Sequence, residues 1–271
     1  MNKQSKIWQS IEKEIKLYNS LRIKELIDYE KFFTYSIITH STAIEGSTLT
    51  ELDTQLLFDE GITAKGKPLV HHLMNEDLRN AYIFASTKAK EKTSLTPDFL
   101  KELNGLVMKS TGNVTNVLGG VFDSSQGDFR LCGVTAGYGG KSYMNPVKVP
   151  DAVSELCNEI GKRLNDVVNL KDIYNLSFDA HLNLVTIHPW LDGNGRTSRL
   201  LMNYLQSYHQ VILTKIYKED RAEYIASLIE SREKENNTPF REFMERQFLK
   251  MLKETIDNFK RSQNRGVRFL F

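Results

Sequence analysis

Apolar residues recur at three- and four-residue steps along most of this chain, a helical period rather than the two-residue alternation of strands. Ile7, Ile11 and Ile15, then Leu26, Phe33 and Ile37, keep one face apolar and predict helix from Ile7 to about Ile44. Further helical stretches are predicted near 69–92, 96–110, 150–168 and 171–187. Three start signals sit among them. Thr50 with Asp53 three residues on has the spacing of a capping box, and Thr96-Pro97 and Thr238-Pro239 each place a cap before a proline at the first helical position. One region breaks the pattern. Eight of the sixteen glycines fall between Gly112 and Gly140, too many for a packed helix. Its centre, GDFRLCGVT, alternates enough to predict a short hairpin. A glycine-rich insertion in a helical chain is a place to look for function.

Charge and composition narrow the classes without choosing one. The 271 residues hold 36 Lys+Arg against 34 Asp+Glu, a formal +2, which argues against a surface given over to nucleic acid or an anionic membrane. Apolar residues at 40% promise a real core. With only Cys132 and Cys157, outside any CxxC pair, a disulfide scaffold or structural zinc site is not expected. The N-terminus MNKQSKIWQSIEKEIK is too polar for a secretory leader and no apolar run approaches a membrane span, so the expectation is a cytoplasmic globular protein with no membrane partner. GYGGKS looks like a P-loop fragment, but the position five before its Gly-Lys-Ser is Thr135 rather than glycine, and Asn145-Pro146 follows instead of a helix.

The chemistry concentrates in residues 181–204, HLNLVTIHPWLDGNGRTSRLLMNY. Ile173, Leu176, Ala180, Leu184 and Ile187 mark one apolar helix face, and Pro189 should end that helix because it pushes its predecessor out of the α region. A second helix is predicted from about Arg196, with Leu200, Leu201, Tyr204, Leu205 and Tyr208 on its buried side. Arg196 and Arg199 then fall near a helix N-terminus, where the macrodipole disfavours each cation by ~0.3–1 kcal/mol. Two such arginines beside Gly193-Asn194-Gly195 describe a site that wants an anion: glycines allow successive N–H groups to converge, and guanidinium forks suit phosphate. Asp192 could hold Mg²⁺ between phosphate oxygens. His188, an imidazole whose ordinary pKa lies near neutrality, could take a proton from a hydroxyl. His181, seven residues earlier, reads as structural, and His40, His71, His72 and His209 show no ligand spacing.

HPWLDGNGRTSR, residues 188–199, resembles the signature of the Fic family, HPF-x-[D/E]-GNGR-x-x-R, with Trp190 where that signature has Phe. LTPDFLKELN, GDFRLCGV and NPVKVPDAV resemble the helix, flap hairpin and following segment of the same family, so the likeness covers roughly residues 40–250. The resemblance implies a mainly α, Fic-type helical bundle with a small β-hairpin flap, and AMP transfer from ATP to a Ser, Thr or Tyr hydroxyl of a protein. On it, His188 would be the base, Asp192 the Mg²⁺ ligand, and Gly193, Asn194 and Gly195 the anion hole. Arg196 would hold the β/γ end of the nucleotide, with Arg199 also in the phosphate site. Phe129, Arg130 and Leu131 would belong to the flap that aligns a target segment by strand-like pairing, and Tyr224 would line an adenine pocket, although core packing explains Tyr224 nearly as well. The GNGR spelling favours nucleotidyl transfer over the kinase-like members.

Ser41-Thr42-Ala43-Ile44-Glu45-Gly46 resembles the inhibitory motif of that family, [S/T]-x-x-x-E-[G/N], placed N-terminal to the core. Ser41 and Glu45 share a helix face, Gly46 is a stop signal, and Glu45 sits where the dipole disfavours an acid. The resemblance implies that Glu45 pairs with Arg199 and displaces the γ-phosphate, a charge-assisted contact of ~1.5–3 kcal/mol. The expected organisation is 1–92 as an N-terminal helical region with the motif at 41–46, 93–250 as core (flap about 119–145, signature loop 188–199), and 251–271 as helix end and tail. Expected ligands are ATP and Mg²⁺, with a protein target that could be the chain itself; a homo-oligomer is left open. The basic-apolar tail KRSQNRGVRFLF reads as a terminal segment docking on its own domain rather than a nucleic-acid contact. The alternatives are another donor (UMP or phosphocholine transfer), removal of AMP, or a regulatory module that binds partners and hardly turns over.

Overall fold

The computed structural model describes residues 3–135 and 140–265. The apolar end of the tail, 266–271, and residues 136–139, which include the first half of GYGGKS and lie within the expected flap of 119–145, fall outside them. Among the described residues the architecture is mainly helical, as the periodicity predicted, with one small antiparallel sheet. The described residues form α1 (Lys3–Ser20), α2 (Tyr29–Ile44), α3 (Glu51–Glu60), α4 (Leu69–Lys90) and α5 (Pro97–Val107). Then come β1 (Val114–Val117), β2 (Gly120–Asp123), α6 (Val149–Leu164), α7 (Leu170–Ile187), α8 (Asn194–Tyr208), α9 (Arg221–Glu233) and α10 (Thr238–Arg265). None of these helices is long and apolar enough to cross a membrane. The chain divides into two compact units, one of residues 1–64 and 214–271, the other of 65–213.

In the first unit α1 lies along α10, α9 packs on α10, and α2 on α3. Trp8, Ile11, Ile15 and Tyr18 bury the α1 face, and Phe248, Met251, Leu252 and Ile256 are buried on α10. Burial of side chains this size stabilises by ~1.5–3 kcal/mol apiece. The helix predicted from Ile7 to Ile44 is in fact two. Arg22 and Asp28 adopt left-handed φ of 53° and 62° on either side of a 3-10 turn at Ile23–Glu25. No glycine or proline announces this break. Further on, Thr50 and Asp53 close a reciprocal capping box on α3.

Glu51 opens α3 inside a polar cluster. Its carboxylate accepts from Ser36 Oγ at 2.5 Å and lies 3.5 Å from His40 Nε2, whose other nitrogen accepts from the Lys218 N–H at 3.1 Å. The hydrogen bond from His40 pulls the Glu51 carboxyl down to about 2 against the opposing effect of burial, with Ser36 and Lys215 contributing. A depressed folded-state pKa stabilises at pH above the unfolded value, and that stability is lost as pH falls through the folded one. The side chain is 39% exposed, so screening limits its worth to about 1 kcal/mol. Glu51→Gln is therefore expected to lower neutral-pH stability by about 1 kcal/mol. The difference from wild type should shrink between pH 4.5 and 2, measured by urea unfolding across that range; a constant difference would refute the account.

In the second unit α7 and α8 form the most extensive helix pair, and α4 and α5 pack against α8. Thr96 caps α5 with Pro97 behind it. The sheet is a two-stranded ladder pairing Val114 with Asp123 and Val117 with Gly120. It therefore precedes the segment where the sequence placed a hairpin. Residues 127–134 carry no strand, and Thr135 makes a single antiparallel bridge to Ser142. The physical reason lies in Phe129 and Arg130, which turn into the interior beside Trp190 and Pro189 instead of pairing along a ladder.

Candidate active site

α7 ends where Pro189 requires, and His188 becomes its C-cap in a left-handed conformation, φ 53° and ψ 63°. Such a conformation is costly for a residue with a side chain, and neighbouring bonds hold it. The His188 N–H donates to the Leu184 carbonyl at 3.0 Å. Arg130 Nε donates to the His188 carbonyl at 2.8 Å, and the Arg130 N–H to the Pro189 carbonyl at 3.0 Å. The imidazole is half-buried, with Nδ1 3.3 Å from the Val185 carbonyl. A carbonyl partner means Nδ1 carries the hydrogen, which leaves the Nε2 lone pair as the basic site.

The loop after His188 is closed on itself. Trp190 is wholly buried and its Nε1 donates to the Gly127 carbonyl at 2.9 Å. The Asn194 side-chain amide grips the Trp190 backbone from both sides, accepting from its N–H at 3.1 Å and donating to its carbonyl at 2.9 Å. Gly193 begins α8 at φ 78° and supplies no side-chain cap. The first intrahelical bond runs from the Thr197 N–H to the Gly193 carbonyl at 2.9 Å, so the N–H groups of Asn194, Gly195 and Arg196 have no helical acceptor. The Gly193 N–H is taken by Asp192 Oδ1 at 2.6 Å. α8 thus starts as a set of donors at the positive end of a dipole, an anion-binding arrangement.

The two arginines lie below these donors, 2% and 3% exposed for Arg196 and Arg199. Arg196 Nη1 donates to the Val107 carbonyl at 3.3 Å, and Nη2 lies 3.1 Å from Met108 Sδ and 3.6 Å from Asp192 Oδ2. The negative end of α5 thereby offsets the cation's poor position on α8. Asp77 of α4, whose carboxylate accepts from the Ser110 N–H and hydroxyl at 2.7 and 2.8 Å, also faces the Arg196 charge. Burial pushes the Asp77 carboxyl above its usual range in spite of these contacts. Burial, and then the Arg199 charge beside it, hold His181 well below the ordinary histidine range, so it stays neutral at physiological pH. Desolvation pushes the Tyr82 phenol up and keeps it protonated as a donor to Asn203 Oδ1 at 2.6 Å.

The second unit therefore brings together His188, Asp192, Gly193, Asn194, Gly195, Arg196 and Arg199 on one loop and helix start. It adds residues that sequence reading missed. Asn104 Nδ2 donates to Thr197 Oγ1 at 3.0 Å and approaches the Asp192 carbonyl at 3.4 Å, tying α5 to the loop. A signal existed: Leu100, Leu103, Asn104 and Val107 form one buried face, and a lone amide on it demands a partner. Of the flap residues, Phe129 lies 6.0 Å from the Trp190 ring, Arg130 is wholly buried and turned inward, and Leu131 remains 39% exposed. Tyr143, which no pattern singled out, stacks on the His188 ring at 3.9 Å and 15°. In the first unit Ser41 is buried on α2, Glu45 is its exposed C-cap, and Gly46 turns the chain at φ 103°. Arg221 Nε donates to the Ile44 carbonyl at 2.7 Å and satisfies that helix end. Tyr224 is buried in the same unit with its ring 5.9 Å from Phe243.

Comparison with known proteins places this loop. The sequence profile of the Fic/DOC family matches residues 94–206. These residues are a Fic/DOC-family domain. Protein adenylyltransferase fic-1 of Caenorhabditis elegans is 33% identical over 205 residues, 73% of this chain and 36% of its own length. Protein adenylyltransferase Fic of Drosophila erecta is 33% identical over 201 residues, with 72% and 36% covered. The chain thus spans about a third of the length of the curated relatives it matches. Among solved structures, a Fic-domain-containing signalling protein of Bacteroides thetaiotaomicron superposes with a TM-score of 0.76 at 20% identity, covering 96% of this chain and all of that one. The Fic domain accounts for α5 to α8 up to Gln206, and so includes the whole signature loop.

Proposed function

We propose that this chain transfers AMP from ATP to a hydroxyl of a target protein, with His188 as the base. The carrying observation is the uncapped start of α8 beside an imidazole whose Nδ1 faces a carbonyl, within a domain whose relatives are named protein adenylyltransferases. His188 Nε2 accepts the hydroxyl proton as the oxygen bonds to the α-phosphorus. The bond from that phosphorus to the bridging oxygen breaks, and pyrophosphate leaves. The N–H groups of Asn194, Gly195 and Arg196 receive the charge that develops on phosphate oxygens, where preorganised donors act with no reorganisation cost. Arg196 and Arg199 supply fixed positive charge for the triphosphate.

The residues present fit Mg²⁺. Asp192 projects its carboxylate at 72% exposure beside the α8 start, and Mg²⁺ is ordinarily held by one or two carboxylates together with substrate phosphates. No group of three His, Cys, Asp or Glu side chains forms a metal cage among the described residues, so the ion would arrive with the nucleotide. When bound it would neutralise phosphate charge. The test supplies ATP labelled on either the α- or the γ-phosphate. Protein-bound α-label with no γ-label supports nucleotidyl transfer, γ-label alone makes it a phosphotransferase, and no label from ATP with either the wild type or Glu45→Gly overturns the reading.

We also propose that Glu45 restrains this transfer, supported by the likeness of residues 41–46 to the inhibitory motif and by the exposed position of Glu45 at the end of α2. A charge-assisted contact of ~1.5–3 kcal/mol corresponds to one to two decades. Glu45→Gly is expected to raise α-label incorporation about 10- to 100-fold, measured over a range of ATP concentrations. Equal rates at every concentration would remove the restraint from the account.

A further inference from the structure

The signature loop and the flap are joined through one buried guanidinium. Arg130 Nε donates to the His188 carbonyl at 2.8 Å, Nη1 to the Cys132 carbonyl at 2.8 Å, and Nη2 to the Met144 carbonyl at 2.6 Å. Each bond goes to a different stretch of backbone: the α7 end, the outgoing arm of the flap, and its returning arm. Tyr143, next to Met144, is itself pinned by its N–H donating to the Val134 carbonyl at 3.0 Å. The consequence is the ring contact. Tyr143 lies face to face on the His188 imidazole with centroids 3.9 Å apart and planes within 15°.

We propose that Tyr143 is a positioning residue for His188, its ring acting as a flat wall that fixes the imidazole plane and favours the imidazolium formed when the base takes the target's proton. The proposal rests on the reading of His188 as the base. Two features of the geometry support it. The Nδ1 contact to the Val185 carbonyl fixes one edge of the imidazole, and a ring stacked on its face fixes the plane from a direction that does not block Nε2. The stack also sets the negative π face of the phenol against the ring that becomes cationic, an electrostatic attraction that the neutral imidazole does not feel. It adds to the position of His188 at a helix C-terminus, which favours the same charged form. The hydroxyl of Tyr143 is not required; the aromatic face is.

This division makes the test. In the full chain, with and without Glu45→Gly, Tyr143→Phe should keep kcat within about twofold, whereas Tyr143→Leu should lower kcat about tenfold with KM for ATP unchanged, as loss of orientation in the proton-transfer step predicts. The acid limb of the kcat profile should move about half a unit lower in the Leu variant only, because removing the π face lowers the pKa of the base. The charged groups bonded to His188 or following it on the loop, Arg130, Asp192 and Arg196, stay as they are in both variants. A defect in flap folding alone would change rate and KM without moving the limb. Independently of activity, the His188 ring protons should lie upfield in wild type and Tyr143→Phe and move downfield in Tyr143→Leu, as a ring current from the stack requires. If Phe is as impaired as Leu, or if Leu retains full kcat, the positioning role is wrong. If His188→Ala retains transfer, the underlying reading fails instead, whatever the proton shifts show.

Discussion

His188→Ala is expected to reduce α-label transfer by a factor of about 10²–10⁴, the range spanned by loss of a general base, while ATP binding stays within about twofold. The separation follows from the geometry. The donors proposed to meet phosphate belong to the start of α8 and its two arginines, and the Arg196 guanidinium is directed at the Val107 carbonyl and Met108 rather than at the loop's imidazole. The His188 backbone, which the Leu184 carbonyl and Arg130 hold, carries the structural bonds, and these survive removal of the side chain. Stability should fall only modestly, because the ring is half-buried. Titration calorimetry with a non-hydrolysable ATP analogue measures binding, and label incorporation measures the chemistry. Loss of both would mean that the side chain holds the loop together, and loss of neither would remove His188 from the reaction.

Much of this site could be seen in the sequence because its signals are local. Pro189 fixes the end of α7 within a residue, Gly193 permits the positive φ that begins α8, and Thr96-Pro97 sets the start of α5. Each acts through its own backbone, so spacing alone reveals it. The start of α8 falls at Asn194, two residues before the predicted Arg196, since Asn194 serves both as first helical residue and as clamp on Trp190. What escaped is non-local. The break between α1 and α2 runs through Arg22 and Asp28 in left-handed conformations, which neither residue type announces in the sequence. GDFRLCGVT alternates like a hairpin, yet Phe129 and Arg130 answer to Trp190, His188 and Pro189, sixty residues away in sequence on the order of magnitude where period and propensity carry no information. Arg130 shows the distinction sharply: the family likeness placed it on a flap, and only the fold reveals a side chain pointing inward to three carbonyls. The stack of Tyr143 on His188 belongs to the same class.

Gly127→Ala is expected to destabilise the second unit by about 3 kcal/mol or more, a shift of over a hundredfold in its folding equilibrium. Two effects act together. Gly127 has φ 75°, which an L side chain adopts reluctantly. A Cβ there would also overlap the Lys101 carbonyl oxygen and stand 2.7 Å from the Lys101 carbonyl carbon and 3.0 Å from the Gly105 nitrogen. These are backbone atoms of α5, and they cannot rotate away. Gly193→Ala is the informative contrast. Its φ of 78° imposes a similar torsional strain, but the new Cβ would meet Asn104 Nδ2 and Met108 Sδ, each at 2.8 Å, the far ends of side chains that can shift. Gly193→Ala should therefore cost less stability, while weakening nucleotide binding by disturbing the Asn104 bond to Thr197 and the Met108 contact to Arg196. The loss at Gly127 also reaches the site, since its carbonyl anchors Trp190 and through it the loop that Asn194 clamps. Thermal or urea unfolding of both variants distinguishes them, and equal destabilisation would show that torsional strain alone, rather than close backbone approach, requires glycine at position 127.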